Sequence, residues 1–425
     1  MYTVHMLLRT LRHCFFTLLA ATILAAQEPA YDLLLKGGHV IDPKNDINQV
    51  MDVAIAAGKI ARVAENIPAS QAKTVAGVSG LYVTPGLIDI HSHVFTGSPI
   101  RAAARQDNAV RADTISFRSG VTTLVDAGTS GWQTFPEFRK YVIERSATRV
   151  LAMLNIVGQG MGIIRNEDDP AQMDPEATAK VAKENADVVV GIKSAHYAGP
   201  GWASIDNSVK AGNLADIPVM VDFGEDTAER NLDVLLRDKL RPGDIYTHCY
   251  SGHRKELLHG KVNPAMEAGR KRGIYFDVGF GQASFYWYVA VPAFQQGFYP
   301  DSISTDIHQR SINGGMKDMI QTMSKILNLG VGLEEVIRMS TSNPAKEIKH
   351  PELGNLDVGS DADVTVLRLE KGKFNLLDSA QAKYPGDRML VCELTIRAGK
   401  VMWDSNGLTA VDWEKFPYRR DEDSR

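Results

Sequence analysis

Cysteine is scarce in this chain: three residues in 425, at Cys14, Cys249 and Cys392. So few cannot form a disulfide framework, and a buried free thiol is the expected state of Cys249 and Cys392. An excess of charge of one sign is also missing, since 47 basic residues face 51 acidic ones. That balance gives no electrostatic ground for a nucleic-acid partner or an anionic membrane surface. Long apolar runs are absent as well, apart from a short one near the start. Arg9 and Arg12 precede the run from Cys14 to Ala26, after which Gln27-Glu28-Pro29 turns polar. The run falls short of the roughly 20 residues that a membrane span needs. A basic start, a short apolar run and small residues at its end form a secretory signal. The expectation is a signal peptide over residues 1–26 and an exported chain, periplasmic or secreted, with no stable membrane span after cleavage. Leu24 is bulkier than the usual small residue three positions before a cut, so the exact cleavage site stays open. An uncleaved N-terminal anchor is the alternative.

What the chain does have is one organising stretch, Val83-Thr84-Pro85-Gly86-Leu87-Ile88-Asp89-Ile90-His91-Ser92-His93. It reads as a turn feeding a buried strand that ends in two histidines one residue apart. Side chains alternate along a strand, so His91 and His93 project to the same side. Two imidazoles on one side make half a site for a divalent transition metal. An isolated His-x-His is more often a solvent-facing strand end, so the context has to decide.

That context is a bracketed chain. Strand-and-turn patterns run from Tyr31 to Val63 and return at Asp361–Leu367 and Leu394–Trp403. Strands from both ends can pair into one small domain that encloses the middle. Between them lie eight apolar runs, beginning with Leu87–Ile90. The other seven are Val121–Asp126, Val150–Ile156, Val188–Lys193, Pro218–Asp222, Asp244–His248, Ile274–Val278 and Ser302–Asp306. Helical candidates separate several of them, at Asp174–Glu184, Thr227–Lys239 and Pro264–Lys271. Most of these runs close on a polar residue, and strand ends converge on one mouth in a barrel.

The Val-Thr-Pro-Gly-Leu-Ile-Asp-Ile-His-Ser-His phrase resembles the first-strand signature of the amidohydrolase superfamily. The remaining cues are Gly191-Ile192-Lys193, Tyr246-Thr247-His248, Ser304-Thr305-Asp306, and the Thr341-Ser342-Asn343-Pro344-Ala345 stretch with Leu356–Asp363 behind it. The match is nearest to the deacetylase and D-aminoacylase-like branch, which is related to dihydroorotase. The resemblance implies an α/β fold: a (β/α)₈ TIM barrel over 85–349 and a small β-sandwich built from 27–84 and 350–425. It also implies one or two divalent ions, zinc foremost, held by His91, His93, Lys193, His248 and Asp306. In that family the fourth-strand lysine is carboxylated and bridges two metals, while the eighth-strand aspartate is ligand and general base. One position departs from the pattern: many relatives end the fifth strand in histidine, and here the strand runs into Asp222. Either Asp222 ligates through oxygen, or His196 swings in, or one tight site and one weak site remain.

The implied function is hydrolysis of an amide or ester acyl bond by metal-activated water, with Asp306 as general base. The implied substrate is a small acylated molecule such as an N-acyl amino acid or an acetylated hydroxy acid. A cyclic amidase of the dihydroorotase or hydantoinase kind is the alternative enzyme. An exported, non-catalytic metal- or ligand-binding barrel is the alternative outside enzymes. The loops Gly279-Phe280-Gly281-Gln282 and Ser311–Met316 can bring backbone amides close to a substrate. His253, Arg254, His308 and Arg310 read as surface loop residues able to meet a substrate carboxylate, but substrate-binding residues stay unassigned. His39 reads as a surface histidine, His259 and His350 carry no signal, and a homo-oligomer is compatible with the chain. Fractionation and intact mass should find a soluble mature chain starting near Gln27; full-length protein in the membrane would refute cleavage.

Overall fold

The computed structural model describes residues 29–97, 108–161, 167–222, 224 and 226–418. The expected signal segment lies outside the described residues. Within them, no helix is long and apolar enough to cross a membrane.

The N-terminal part supplies β1 (Tyr31–Asp42), β2 (Ile47–Ala56), β3 (Lys59–Ala64), β4 (Ala72–Gly77) and β5 (Tyr82–Pro85). The central part supplies β6 (Leu87–Ser92), β7 (Val121–Gly131), β8 (Arg149–Asn155), β9 (Val189–Ser194), β10 (Val219–Val221) and β11 (Ile245–Tyr246). A small hairpin of β12 (Leu257–Leu258) and β13 (Lys261–Val262) follows, and then β14 (Tyr275–Phe276). The chain ends with β15 (Val364–Leu377), β16 (Lys383–Arg397) and β17 (Lys400–Asp404).

Strands β6 to β11 and β14 form one curled parallel sheet of seven, neighbours in chain order apart from the small hairpin. Every residue of β6, β7 and β9 is buried, as strands covered on both faces must be. The expected eighth strand is present as an extended segment rather than a continuous ladder. Single parallel bridges tie Asp277 to Ser302 at one edge and Ser92 to Ile307 at the other. The interruption has a local cause: the Thr305 amide donates to the Asp89 carboxylate at 3.0 Å, and the Thr305 hydroxyl binds the same group. A ladder would have sent that amide to a main-chain carbonyl. The parallel sheet therefore curls without closing into a barrel.

The two chain ends do meet, but in a single mixed sheet of eight strands rather than two facing sheets. Its order is β17-β16-β15-β5-β1-β2-β3, with β4 also on β1. One apolar cluster joins Leu33, Leu35, Val53, Val83, Val364 and Ile396 across it. Strand β5 pairs with β15 through Pro85 and Val364, and Gly86 N donates to Asp363 O at 2.8 Å. The terminal sheet thus clamps the chain immediately before the His-x-His strand. Cys249 and Cys392 are both free and buried, as expected.

Helices follow the sequence pattern at Pro175–Glu184 and Pro264–Lys271, each capped by a preceding side chain, Asp174 or Asn263. The segment expected to be helical from Thr227 starts only at Leu232, where Asn231 accepts from Val234 N, and continues as a π-turn to Lys239. Helix Met319–Asn328 carries a charge in the core: Lys325 is 1% exposed, and its Nζ lies 4.9 Å from the centre of the Phe280 ring. Burial pulls this amine from 10.5 to about 7, against the attraction of Asp318. Between those values the unfolded chain binds more protons than the folded one, so stability rises with pH across that window. Lys325→Met should therefore stabilise the fold most below pH 7, by about 1–4 kcal/mol. It should also flatten the rise between pH 7 and 10, as thermal melts across that range would show.

Candidate metal centre

The parallel sheet brings its strand ends to one edge, and five of the six residues expected there converge directly. His93 Nε2 lies 2.9 Å from Asp306 Oδ1, and His91 Nε2 lies 3.7 Å from the same oxygen. Ligand atoms of His91, His248 and Asp306 all fall within 4.8 Å of one another. Lys193, fully buried at the end of β9, brings Nζ to 3.0 Å from His91 Nε2. The sixth residue, Asp222, stands beside this group, its Oδ2 being 3.4 Å from His248 Nε2 and 3.4 Å from His196 Nε2. Its Oδ1 accepts a short hydrogen bond from Arg254.

Each imidazole is fixed from behind through Nδ1. His91 Nδ1 lies 3.0 Å from the Thr247 hydroxyl, which donates to Asp277 Oδ2 at 2.7 Å. His93 Nδ1 lies 2.8 Å from the Thr129 hydroxyl, which is hydrogen bonded to Asp126. In both relays the hydroxyl gives its hydrogen to a buried carboxylate and accepts from the ring. His248 Nδ1 lies 2.6 Å from the Gly279 carbonyl. All three rings are thereby held with Nε2 turned inward, the disposition of histidines that bind a metal. Three imidazole nitrogens with carboxylate oxygens make a donor set that fits a divalent transition cation.

The backbone is bent to achieve this. His196, His248 and Asp306 have φ of 54°, 62° and 48°, a left-handed conformation that non-glycine residues rarely adopt. Such conformations cost of the order of 1–3 kcal/mol each and persist where the surroundings enforce them. Two glycines provide the room. A Cβ on Gly279 would meet His248 Nδ1 at 2.7 Å, and one on Gly281 would meet Asp306 Oδ2 at 2.2 Å. The glycine loop expected to approach substrate thus makes space for two site side chains.

Electrostatics favours the cation-binding forms of His91, Asp306 and Lys193, but the protonated form of His196. Burial, with the charge of Lys193, pushes His91 down to about 3, so its ring is neutral. Burial works against ionised Asp306, but His91 and His93 hold it well below the usual carboxylate range. Burial lowers Lys193, against the pull of Asp222, Asp306 and Asp277. Burial also opposes charge on His196, yet the Glu167 hydrogen bond and Asp222 raise it to about 9. The His196 side chain is half exposed, so water screens part of that effect.

Other candidates divide. Arg254 and His308 are buried, not surface residues, and the His308 ring stands 6.1 Å from that of His93. His253 and Arg310 are exposed as expected. The sequence reading missed Asp126, Thr129, Thr247, Asp277 and Glu167. The signal available for Asp126 and Asp277 was a carboxylate at the close of an apolar strand; the two threonines had none.

Histidines and an aspartate gathered at the strand ends of a curled parallel sheet define a metal-dependent hydrolase. The amidohydrolase family model matches residues 289–401. A deacetylase of Enterococcus faecalis is 32% identical over 363 residues, covering 82% of this chain and 93% of that protein. A solved adenine deaminase is similar with a TM-score of 0.79 at 30% identity, over 88% of this chain and all of the other. A solved dihydroorotase gives 0.76 at 29% identity, over 88% and 99%. The chain belongs to the amidohydrolase superfamily and is a hydrolase acting on carbon–nitrogen bonds. That removes the reading as a non-catalytic binding barrel.

The relays make a further expectation. Thr247→Val keeps the side-chain volume but strands His91 Nδ1 and Asp277, so divalent-metal affinity should fall about 10–100-fold. Metal titration with circular dichroism unchanged would confirm it; unaltered affinity would show that the relay does not orient the ring.

Proposed function

We propose that this amidohydrolase removes an acyl group from a small linear amide or ester, as a deacetylase of N-acyl amino acids or acetylated hydroxy acids. The observation that carries this is Asp306: an ionised carboxylate 2.9 Å from His93 Nε2, buried among inward-facing imidazoles. His91, His93 and Asp306 would hold a divalent ion, zinc in our reading, with Lys193 and His248 completing its surroundings. Bound there, such an ion supplies Lewis acidity that polarises a carbonyl and lowers the pKa of water.

The chain's own groups do the rest. Asp306 accepts a proton from the attacking water and delivers it to the departing amine or alcohol. Its depressed pKa keeps it basic in form at neutral pH, with no proton of its own to lose first. Lys193 is read as carboxylated. Among the described residues its amine has no ion-pair partner, only His91 Nε2 and Met220 Sδ as hydrogen-bond partners. Burial favours the neutral amine, whose lone pair can attack dissolved carbon dioxide. The new N–C bond forms as one C=O pair moves to oxygen, and the nitrogen releases a proton. The resulting carbamate is an anion placed beside the imidazoles.

We also read 302–307 as the eighth strand of a (β/α)₈ barrel over 85–349, with 27–84 and 350–425 as its accessory domain. Export to the periplasm or medium belongs to the same reading. The likeness to a dihydroorotase favours one competitor, a cyclic amidase, and assays of linear acyl and cyclic amide panels separate the two.

Asp306→Asn should keep the metal and lower kcat by about 10²–10⁴-fold with little change in KM. Turnover within a few-fold of the parent, with metal content confirmed, would assign the proton transfer elsewhere. Lys193→Ala should lose metal and activity together, with partial rescue by short-chain carboxylic acids.

A further inference from the structure

Helix Met319–Asn328 puts one amine in the core that the chemistry at the mouth does not use, that of Lys325. Its Nζ donates to Gln321 O at a long 3.3 Å and stands 4.9 Å from the centre of the Phe280 ring. Asp318 starts the same helix but spends Oδ1 on its cap, accepting from Gln321 N at 2.8 Å. A buried ammonium with so few partners destabilises a fold, and a methionine would fill the same space without that cost. Departures of this kind gather at functional sites.

The amine faces a loop with two duties at the site. The Gly279 carbonyl lies 2.6 Å from His248 Nδ1, and Gly281 N donates to Thr305 O at 2.9 Å, one residue before Asp306. Gly279 and Gly281 have φ of 48° and 56°, a region open to glycine, so local backbone preference does little to hold Phe280 between them. The anchor is the Phe280 ring itself. It stacks on Phe285 with centroids 4.6 Å apart and planes 16° from parallel, and it meets the Lys325 amine. A cation over a desolvated aromatic ring is attracted by the negative face of that ring. The charge that weakens the helix therefore strengthens the loop.

We propose that Lys325 is a positioning residue of the metal centre: its buried ammonium clamps the Phe280 ring and so fixes the loop that orients His248 and abuts Asp306. The inference rests on the metal-dependent reading above. It also makes the clamp dependent on pH. Burial brings the amine down to about 7, with Asp318 attracting the charge and Lys317 opposing it. Arg118 acts on Asp318, and so does Cys392 from β16, whose thiol burial pushes up to about 12 and keeps uncharged. The cation is present below the pKa of the amine and lost above it. The clamp is thus tight in acid and slack in alkali.

The test is hydrogen exchange of the zinc-loaded full chain, read by mass spectrometry on the peptide that spans the 279–281 loop. Zinc affinity is the second measure, and variants are compared at each pH separately. Lys325→Met stabilises the fold, so a merely structural role would slow exchange. The clamp requires the reverse. At pH 6 the loop should exchange about 5–30-fold faster in Lys325→Met than in wild type. Zinc affinity at pH 6 should fall about 3–10-fold, less than for a residue that touches a ligand directly. At pH 8.5 the two proteins should coincide in both measures. Phe280→Leu should loosen the loop at both pH values, and adding Lys325→Met to it should change nothing further. The proposal is overturned if Lys325→Met slows loop exchange at pH 6 or leaves it unchanged, or if the two substitutions act additively. It is overturned as well if the loop loosens while zinc affinity holds. Wild type binding no zinc would sink the metal-dependent reading, and exchange on the metal-free chain would still decide the clamp.

Discussion

Imidazole nitrogens and carboxylate oxygens buried against one another repel unless a positive charge lies among them. Water cannot relieve that repulsion in a site this enclosed, so the protein must do so through fixed partners. Much of the architecture at the mouth follows from this constraint. The outward nitrogens of His91, His93 and His248 are each consumed by a threonine hydroxyl or a carbonyl, leaving Nε2 of each ring facing inward. Asp277 and Asp126 lie behind the threonines as buried carboxyl groups, so a hydroxyl rather than a carboxyl group touches each ring. The result is a set of rings that are already oriented before any ligand arrives.

Holding those rings costs backbone strain, and the structure concentrates it at the points of chemistry. Among the described non-glycine residues, His196, His248 and Asp306 share the left-handed conformation within this one neighbourhood. Gly279 and Gly281 give way to the side chains so displaced, and Phe280 between them is anchored over the buried Lys325. A loop that appears merely flexible in sequence is therefore a spacer of fixed shape.

The terminal sheet extends the same logic to the chain as a whole. Residues from both ends pair at β5 and β15, immediately before β6 begins. Arg149 at the start of β8 pairs with both Asp361 and Asp363, and Arg397 reaches Asp363 from β16. These contacts tie the accessory sheet to the strands that carry the site. A shift of the terminal sheet would move the His-x-His strand with it.

Much was legible in the sequence because it is local. Strand alternation put His91 and His93 on one side, and apolar runs ending in Lys193, His248 and Asp306 marked strand ends. Paired strand patterns at the two termini announced a shared sheet, and two lone cysteines announced free thiols. What the sequence left open was decided by groups that meet only in three dimensions. Alternation cannot say that Thr247 would stand between His91 and Asp277, since the three come from different strands. It could not tell that Arg254 turns inward to Asp222, because a loop residue's burial depends on what packs over it. Nor could it show that Asp89 captures the Thr305 amide and breaks the last ladder. Local sequence determined which side chains point toward the mouth, by the period of the strand. Tertiary structure alone decided which atom of each faces inward, because that depends on the partner behind it.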